Sequence, residues 1–176
     1  MSEKLSGALC YGIVKRRSIC NGGDVMDICY IRAVVDDAGE LIELQNQAFK
    51  DDYLKYGHCP SYDEPIDIMR KHISTWISYI ITVDGENAGD IIIRKREGSS
   101  YYIRVLSIIP RFQNMHVGKK AIDFLEHTHT EGIAWELITP KDNARNCHFY
   151  ESCGFVKTGE KKEDDKLTLN IYRKVI

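Results

Sequence analysis

One α/β (α+β) domain, with helices on both faces of a mixed and mostly antiparallel sheet, is expected from three features of this 176-residue chain. Short apolar runs of strand character alternate with segments whose apolar residues recur at helical spacing. Asp84-Gly85 separates two such runs, so the middle of the chain reads as hairpins with antiparallel pairing. Near the end, helices separate the strands, which implies crossovers and some parallel pairing.

Residues 28–35 open the domain as a strand. Asp36 and Asp37 are start signals for a helix carrying Ala38, Leu41, Ile42, Leu44, Ala48 and Phe49. Gly57, Pro60 and Pro65 mark a loop, after which Ile66, Met69, Ile73 and Trp76 or Ile77 recur at helical spacing. Residues 79–83 and 88–94 are the arms of a hairpin. The turn at Gly98 leads to a strand over 101–109, which Pro110 ends. A helix through Val117, Ala121, Phe124 and Leu125 runs to about residue 129. A strand over 133–139, a short helix over 144–152 and a closing strand over 167–175 complete the order, with one more strand after Gly154.

The domain spans residues 26–176, and residues 1–25 form an N-terminal extension that fits it poorly. Residues 21–26, Asn-Gly-Gly-Asp-Val-Met, can be encoded by a message with GGAGG shortly before ATG, which resembles a ribosome-binding site. Met26 is therefore an alternative start, and residues 1–25 are either an over-extended reading frame or an accessory strand.

Composition narrows the function. Twenty-six acids against 24 Lys plus Arg leave a net charge of −2, which argues against nucleic acid as a partner. No run is long enough to span a membrane, and residues 1–9 lack the apolar core of a secretory signal, so a cytoplasmic protein with no membrane partner is expected. Six cysteines without a CxxC pair read as reduced thiols, and no ligand set for a metal is evident. His127 and His129 read as solvated residues at a helix end.

The near-neutral total hides an uneven distribution. Residues 36–67 hold nine acids against Lys50 and Lys55, a local charge of −7. Residues 91–120 hold seven bases (Arg94, Lys95, Arg96, Arg104, Arg111, Lys119 and Lys120) against Glu97, or +6. Within the basic segment a strand ends at Pro110, a short polar loop follows, and a helix starts near Met115 to Val117. Free amides and the positive dipole end make such a helix start suited to phosphate. Gly118 would let the backbone approach a ligand, and Lys119 and Lys120 add charge. In the second informative stretch, Tyr150 lies seven residues after Asn143, on nearly the same helix face, and Gly154 is placed to cap that helix.

Together, Pro110-x-x-Gln113-x-x-His116-x-Gly118 and Asn143-x6-Tyr150-x3-Gly154-Phe155 resemble the GNAT superfamily of acyl-CoA-dependent N-acetyltransferases. The likeness runs from about residue 27 to 176 and includes the Asp84-Gly85 hairpin and Gly89. It implies a sheet splayed after the fourth core strand and acetyl-CoA as acyl donor. Backbone groups of Ile108, Ile109 and Pro110 would face the pantetheine arm. The loop and helix start formed by Gln113, Asn114, Met115, His116, Val117, Gly118, Lys119 and Lys120 would cradle the pyrophosphate, with the basic segment complementing the phosphates. Asn143 would bond the pantetheine, and Tyr150 would protonate the departing thiolate as general acid. Two departures stand out: His116 replaces the loop's first glycine, and Arg104 lies near the place where family members often carry a glutamate base, so that role is unassigned.

The resemblance further implies direct attack by a primary amine, without an acyl-enzyme on Cys147 or Cys153. The acceptor pocket would be shaped by the acidic segment, with Tyr53, Tyr56, His58 and Tyr62 as candidate contacts. That charge points to a cationic acceptor, either a small molecule or a peptide amine. A non-catalytic acyl-CoA-binding module of the same fold is the alternative. A toxin acting on charged tRNA is disfavoured by the net charge, and a homodimer stays open.

Overall fold

In the computed structural model, residues 18–21 and 26–176 are described. The elements are β1 (Ser18–Asn21), β2 (Ile28–Arg32), α1 (Ala38–Tyr56), α2 (Ile66–Thr75), β3 (Ile77–Val83), β4 (Glu86–Arg96), β5 (Ser100–Ile108), α3 (Val117–Thr128), β6 (Ala134–Pro140), α4 (Ala144–Ser152), β7 (Val156–Lys162) and β8 (Thr168–Val175). They form an eight-stranded sheet in the order β1-β2-β3-β4-β5-β6-β8-β7. Six of the seven neighbouring pairs are antiparallel, and β5 with β6 is the parallel one. Of the N-terminal extension, only the short edge strand β1 is described. Expectations for residues 1–17 and 22–25 lie outside the described residues.

Each face of the sheet has its own core. Leu41 and Leu44 of α1 and Met69 and Ile73 of α2 pack on Ile80, Ile92 and Val105. On the other face, Ala121, Ile122, Phe124 and Leu125 of α3 meet Tyr30, Ile81, Trp135 and Tyr172. Tyr30 stacks on Phe124 at 3.9 Å between ring centroids. The hairpin turn has Asp84 at φ 50° and Gly85 at φ 82°, left-handed at both positions, which matches the twist of the flanking strands.

Most boundaries shift by one or two residues from those expected, Ile77 opens β3 instead of closing α2, and two shifts are larger. β2 ends at Arg32, and Val35–Asp37 form a single 3-10 turn. α1 continues to Tyr56, beyond the last apolar residue of its pattern, and stops where Gly57 turns left-handed at φ 71°. Two side-chain readings also need correction. His129 is buried, 3.2 Å from the Tyr79 hydroxyl and 5.2 Å in ring separation from Tyr101. Cys29 is disulfide-bonded, so reduced thiols throughout does not hold.

Three features of β4, β5 and β6 position the site. β5 and β6 pair over only Ser100–Tyr102 with Ala134–Glu136, after which β6 follows β8 to Pro140 and the two strands part. On the other side of β5, Ile92 pairs with Val105 and Ile93 with Ile103, leaving Arg104 as the extra residue of a β-bulge. Finally, a Cβ on Gly89 would stand 1.9 Å from the Ser107 carbonyl oxygen, so only glycine permits this approach of β4 to β5.

Candidate active site

The gap between β5 and β6 opens into two adjoining spaces. A cleft of ≈ 740 Å³ runs between the end of β5, the loop and start of α3, the second half of α1, and α4. A smaller cavity of ≈ 320 Å³ lies between α1, the 57–65 loop, β5, β6 and the segment joining β7 to β8. Gln45, Phe49, Asp52 and Tyr56 are spaced four, three and four residues apart, which puts them on one stripe of α1. Phe49 and Asp52 border both spaces, and Tyr56 borders the cavity.

The phosphate-binding expectations map onto the cleft in part. Ile108, Pro110, Gln113, Asn114, His116, Val117, Gly118, Lys119 and Asn143 border it, whereas Ile109, Met115 and Lys120 do not. The amides of Val117, Gly118 and Lys119 precede the first intrahelical bond, from Lys120 N to His116 O (3.1 Å), and no side chain caps them. Gln113 uses its side-chain amide to bond Ile108 O at 2.8 Å, which ties the loop to the end of β5. Gly118 borders the cleft and also has a packing reason: a Cβ there would stand 3.1 Å from Phe149 Cζ, so its smallness serves the packing of α3 on α4.

The basic segment does not face the cleft as a whole. Arg104 is engaged with Glu64, Arg111 with Glu86 and Arg96 with Glu136, while Arg94 lies over the Trp76 ring. Lys119 is the member of that segment that borders the cleft, where Lys50 and Arg145 join it from α1 and α4.

Tyr150 stands at the junction of cleft and cavity. Its ring packs edge-on against Phe149 and Phe155, and its hydroxyl makes no hydrogen bond to a described residue. Burial, followed by Cys153 and Tyr102, pushes its pKa above the usual phenol value, so it is a protonated donor at neutral pH. Asn143 caps α4 by accepting from Asn146 N at 3.1 Å.

Around the smaller cavity, the acceptor candidates separate. Tyr56 and His58 border it; Tyr53 and Tyr62 border neither space and stack on each other at 4.4 Å. Tyr56 donates to Asp142, which also receives Lys55 at 2.8 Å, so the end of α1 is fastened across the gap to the β6–α4 turn. Tyr56 also packs on Leu167 and Leu169. From the bulge, Arg104 reaches Ser61 Oγ (2.8 Å) and Glu64 Oε1 (3.2 Å), and Glu64 Oε2 lies 3.1 Å from His72 Nδ1. Burial, partly opposed by Glu64, holds His72 below its ordinary pKa. Arg104 thus anchors the 57–65 loop.

The sequence profile of the Acetyltransferase (GNAT) family matches residues 40–155, more than half of the chain. The chain belongs to the GNAT family. Among curated proteins, this GNAT chain is 27% identical over 81 residues to YrkN of Bacillus subtilis (strain 168), a match covering 45% of this chain and 44% of that protein. The aligned part thus spans less than half of that relative's length. Among solved structures, the fold is similar to the Microcin C7 self-immunity acetyltransferase MccE in complex with acetyl-CoA and AMP (TM-score 0.65, 21% identity, 85% of this chain and 92% of that one). It is also similar to the ribosomal-protein-S18-alanine N-acetyltransferase of Escherichia coli (TM-score 0.67, 14% identity, 83% and 92%).

The cleft and the cavity hold further residues that reading the sequence did not single out. Asp52 and Arg145 belong to the cleft, and Glu64, Ser61 and His72 to the Arg104 cluster. The stripe spacing of α1 was the available signal for Asp52. Nothing local in the sequence points to the partners of Arg104. Among the described residues no group of three or more His, Cys, Asp or Glu could hold a metal ion, and no helix is long and apolar enough to cross a membrane.

Proposed function

We propose that this protein is an N-acetyltransferase that moves an acetyl group from acetyl-CoA to a primary amine on a cationic small molecule or peptide, with Tyr150 as general acid. The observation that carries the reading is the position of the Tyr150 hydroxyl. It makes no hydrogen bond to a described residue, and Tyr150 borders both a long cleft whose far end suits anions and a second cavity. The residues present fit the donor. The uncapped start of α3, with Lys119, Arg145 and Lys50 nearby, suits phosphates, and the parted edge of β5 suits an extended amide-bearing arm. The GNAT membership and the acetyl-CoA complex of MccE support the same donor.

The donor supplies an activated acyl group; the protein's own part is to position it and to move protons. Amides at the start of α3 hold the phosphates, Asn143 orients the arm, and Tyr150 gives its proton to the leaving sulfur. A cavity of ≈ 320 Å³ roofed by α1, the 57–65 loop and the β7–β8 segment favours a small acceptor over a folded protein surface.

The test is thiol release from acetyl-CoA with an amine panel, comparing wild type with Tyr150→Phe. Tyr150→Phe should lose about 10²-fold or more in kcat with acetyl-CoA affinity retained. A second reading, a non-catalytic acyl-CoA-binding module, draws on His116 in the loop and on Arg104 at the strand position where the resemblance places a base. Tight acetyl-CoA binding with no turnover of any amine would favour it.

A further inference from the structure

Five residues border both the cleft and the smaller cavity: Phe49, Asp52, Leu106, Asn146 and Tyr150. Two of them titrate, and Tyr150 already has a role as the proton donor. We propose that Asp52 receives the ammonium group of the acceptor and takes its proton, which makes the acceptor a protonated primary amine; this rests on the acetyl-transfer reading above.

Asp52 is half-buried and largely uncommitted. Its one hydrogen bond is a long contact from Asn143 Nδ2 at 3.5 Å, and no cation pairs with it among the described residues. Lys55, one turn on, is held by Asp142 at 2.8 Å. The other charged groups at the cavity are engaged or remote from the junction. Glu163 pairs with Lys161 at 2.8 Å, Arg104 is tied to Ser61 and Glu64, and His58 does not border the cleft. Arg104 also explains why the strand supplies no base: its guanidinium holds the 57–65 loop, and a carboxylate from α1 stands at the junction instead.

An amine held as an ammonium must lose a proton before its lone pair can attack, at a cost of about 4–5 kcal/mol from a pKa of ~10.4 at neutral pH. A carboxylate beside it, in partly desolvated surroundings, lowers that cost. Burial raises the affinity of Asp52 for a proton, Asp51 and Asp142 add to this, and Lys55 and Arg145 oppose it. The step balances as follows. Asp52 takes one proton from the ammonium, and the freed lone pair forms the C–N bond to the thioester carbon. The C–S bond then breaks with its electron pair on sulfur. Tyr150 protonates that sulfur and recovers the second amine proton, while Asp52 releases its own to water, leaving one amide, one thiol and one free proton.

The experiment uses the full chain with acetyl-CoA and an amine panel, measuring kcat/KM against pH for wild type, Asp52→Asn and Asp52→Glu, with acetyl-CoA affinity by calorimetry. Asp52→Asn is expected to lose about 10²–10⁴-fold in kcat/KM and the acidic limb of the profile. Its acetyl-CoA affinity should stay within about threefold, since the phosphate end is untouched, and Asp52→Glu should recover part of the rate. An Asp52→Asn protein with wild-type kcat/KM and an unchanged acidic limb overturns the role of Asp52 and leaves acetyl transfer standing. A wild-type protein that binds acetyl-CoA and acetylates no amine overturns both.

Discussion

His116 holds φ 59° and ψ 8°, left-handed geometry that a residue with a Cβ adopts at a cost of roughly 1 kcal/mol. It does so as the N-cap of α3, at the turn where the chain leaves the loop for the helix. Asn114, two residues earlier, is left-handed as well at φ 61°, so the loop reverses twice before α3 begins. Replacing His116 with glycine is expected to raise unfolding stability by about 0.5–1 kcal/mol, seen as a higher urea midpoint at constant slope. The neighbouring Gly118 follows a different rule, because the Phe149 ring occupies the space its Cβ would take. From the sequence both positions read as parts of one phosphate loop. Their separate reasons come from a backbone angle and from a ring on another helix, and no local pattern encodes either.

Asp90 on β4 shows how three elements share one buried acid. It is fully buried, accepts from the Ser107 hydroxyl of β5, and accepts from Gln45 Nε2 of α1 at 2.7 Å. Burial, against these two hydrogen bonds, pushes its pKa up to about 7. A carboxyl whose folded pKa lies above its unfolded value contributes stability while it stays protonated in the fold. That contribution is present in acid and is lost as pH rises from about 4 to about 7, at roughly 1.4 kcal/mol per pH unit. Asp90→Asn should flatten this slope and leave the protein more stable than wild type above pH 7, measured by denaturant unfolding across pH. Strand periodicity assigns β4 correctly yet says nothing of this acid, since a charged residue in an apolar run reads as an outward-facing one. The same limit applies to His129, a polar residue sealed among Tyr79, Tyr101 and Trp135.

At the scale of the molecule, the sheet is held together at β5 and β6 by three residue pairs, and the end of α1 supplies a second link across the gap. Tyr56→Phe should cost about 1 kcal/mol and speed amide exchange in the last turn of α1 and around residues 141–143, with the core strands unchanged. Apolar periodicity made nearly every element legible, including the order of strands and helices and the turn at Asp84-Gly85. It failed at the last turn of α1 for a physical reason. The inward stripe there faces the cleft and the cavity and not the core, so it carries Asp52, which borders both, and Tyr56, which borders the cavity, where a pattern of burial looks for leucine. The run at residues 110–118 and the spacing from Asn143 to Tyr150 could be picked out because each lies within a short stretch of chain. Arg104 with Glu64 and Ser61 could not, because the contact spans about forty residues and depends on a bulge.

The chain has two tryptophans, in very different settings. Trp135 is sealed in the sheet and stacked on Tyr101 at 4.9 Å, so its fluorescence should be blue-shifted and should move to the red only when the whole sheet unfolds. Trp76, at the end of α2, stacks on His72 at 4.1 Å under the Arg94 guanidinium and is partly open to water. An imidazolium quenches a stacked indole, so the emission of Trp76 should dim in mild acid. One spectrum therefore carries two separable signals: the unfolding of the sheet, and the charge state of the imidazole behind Glu64.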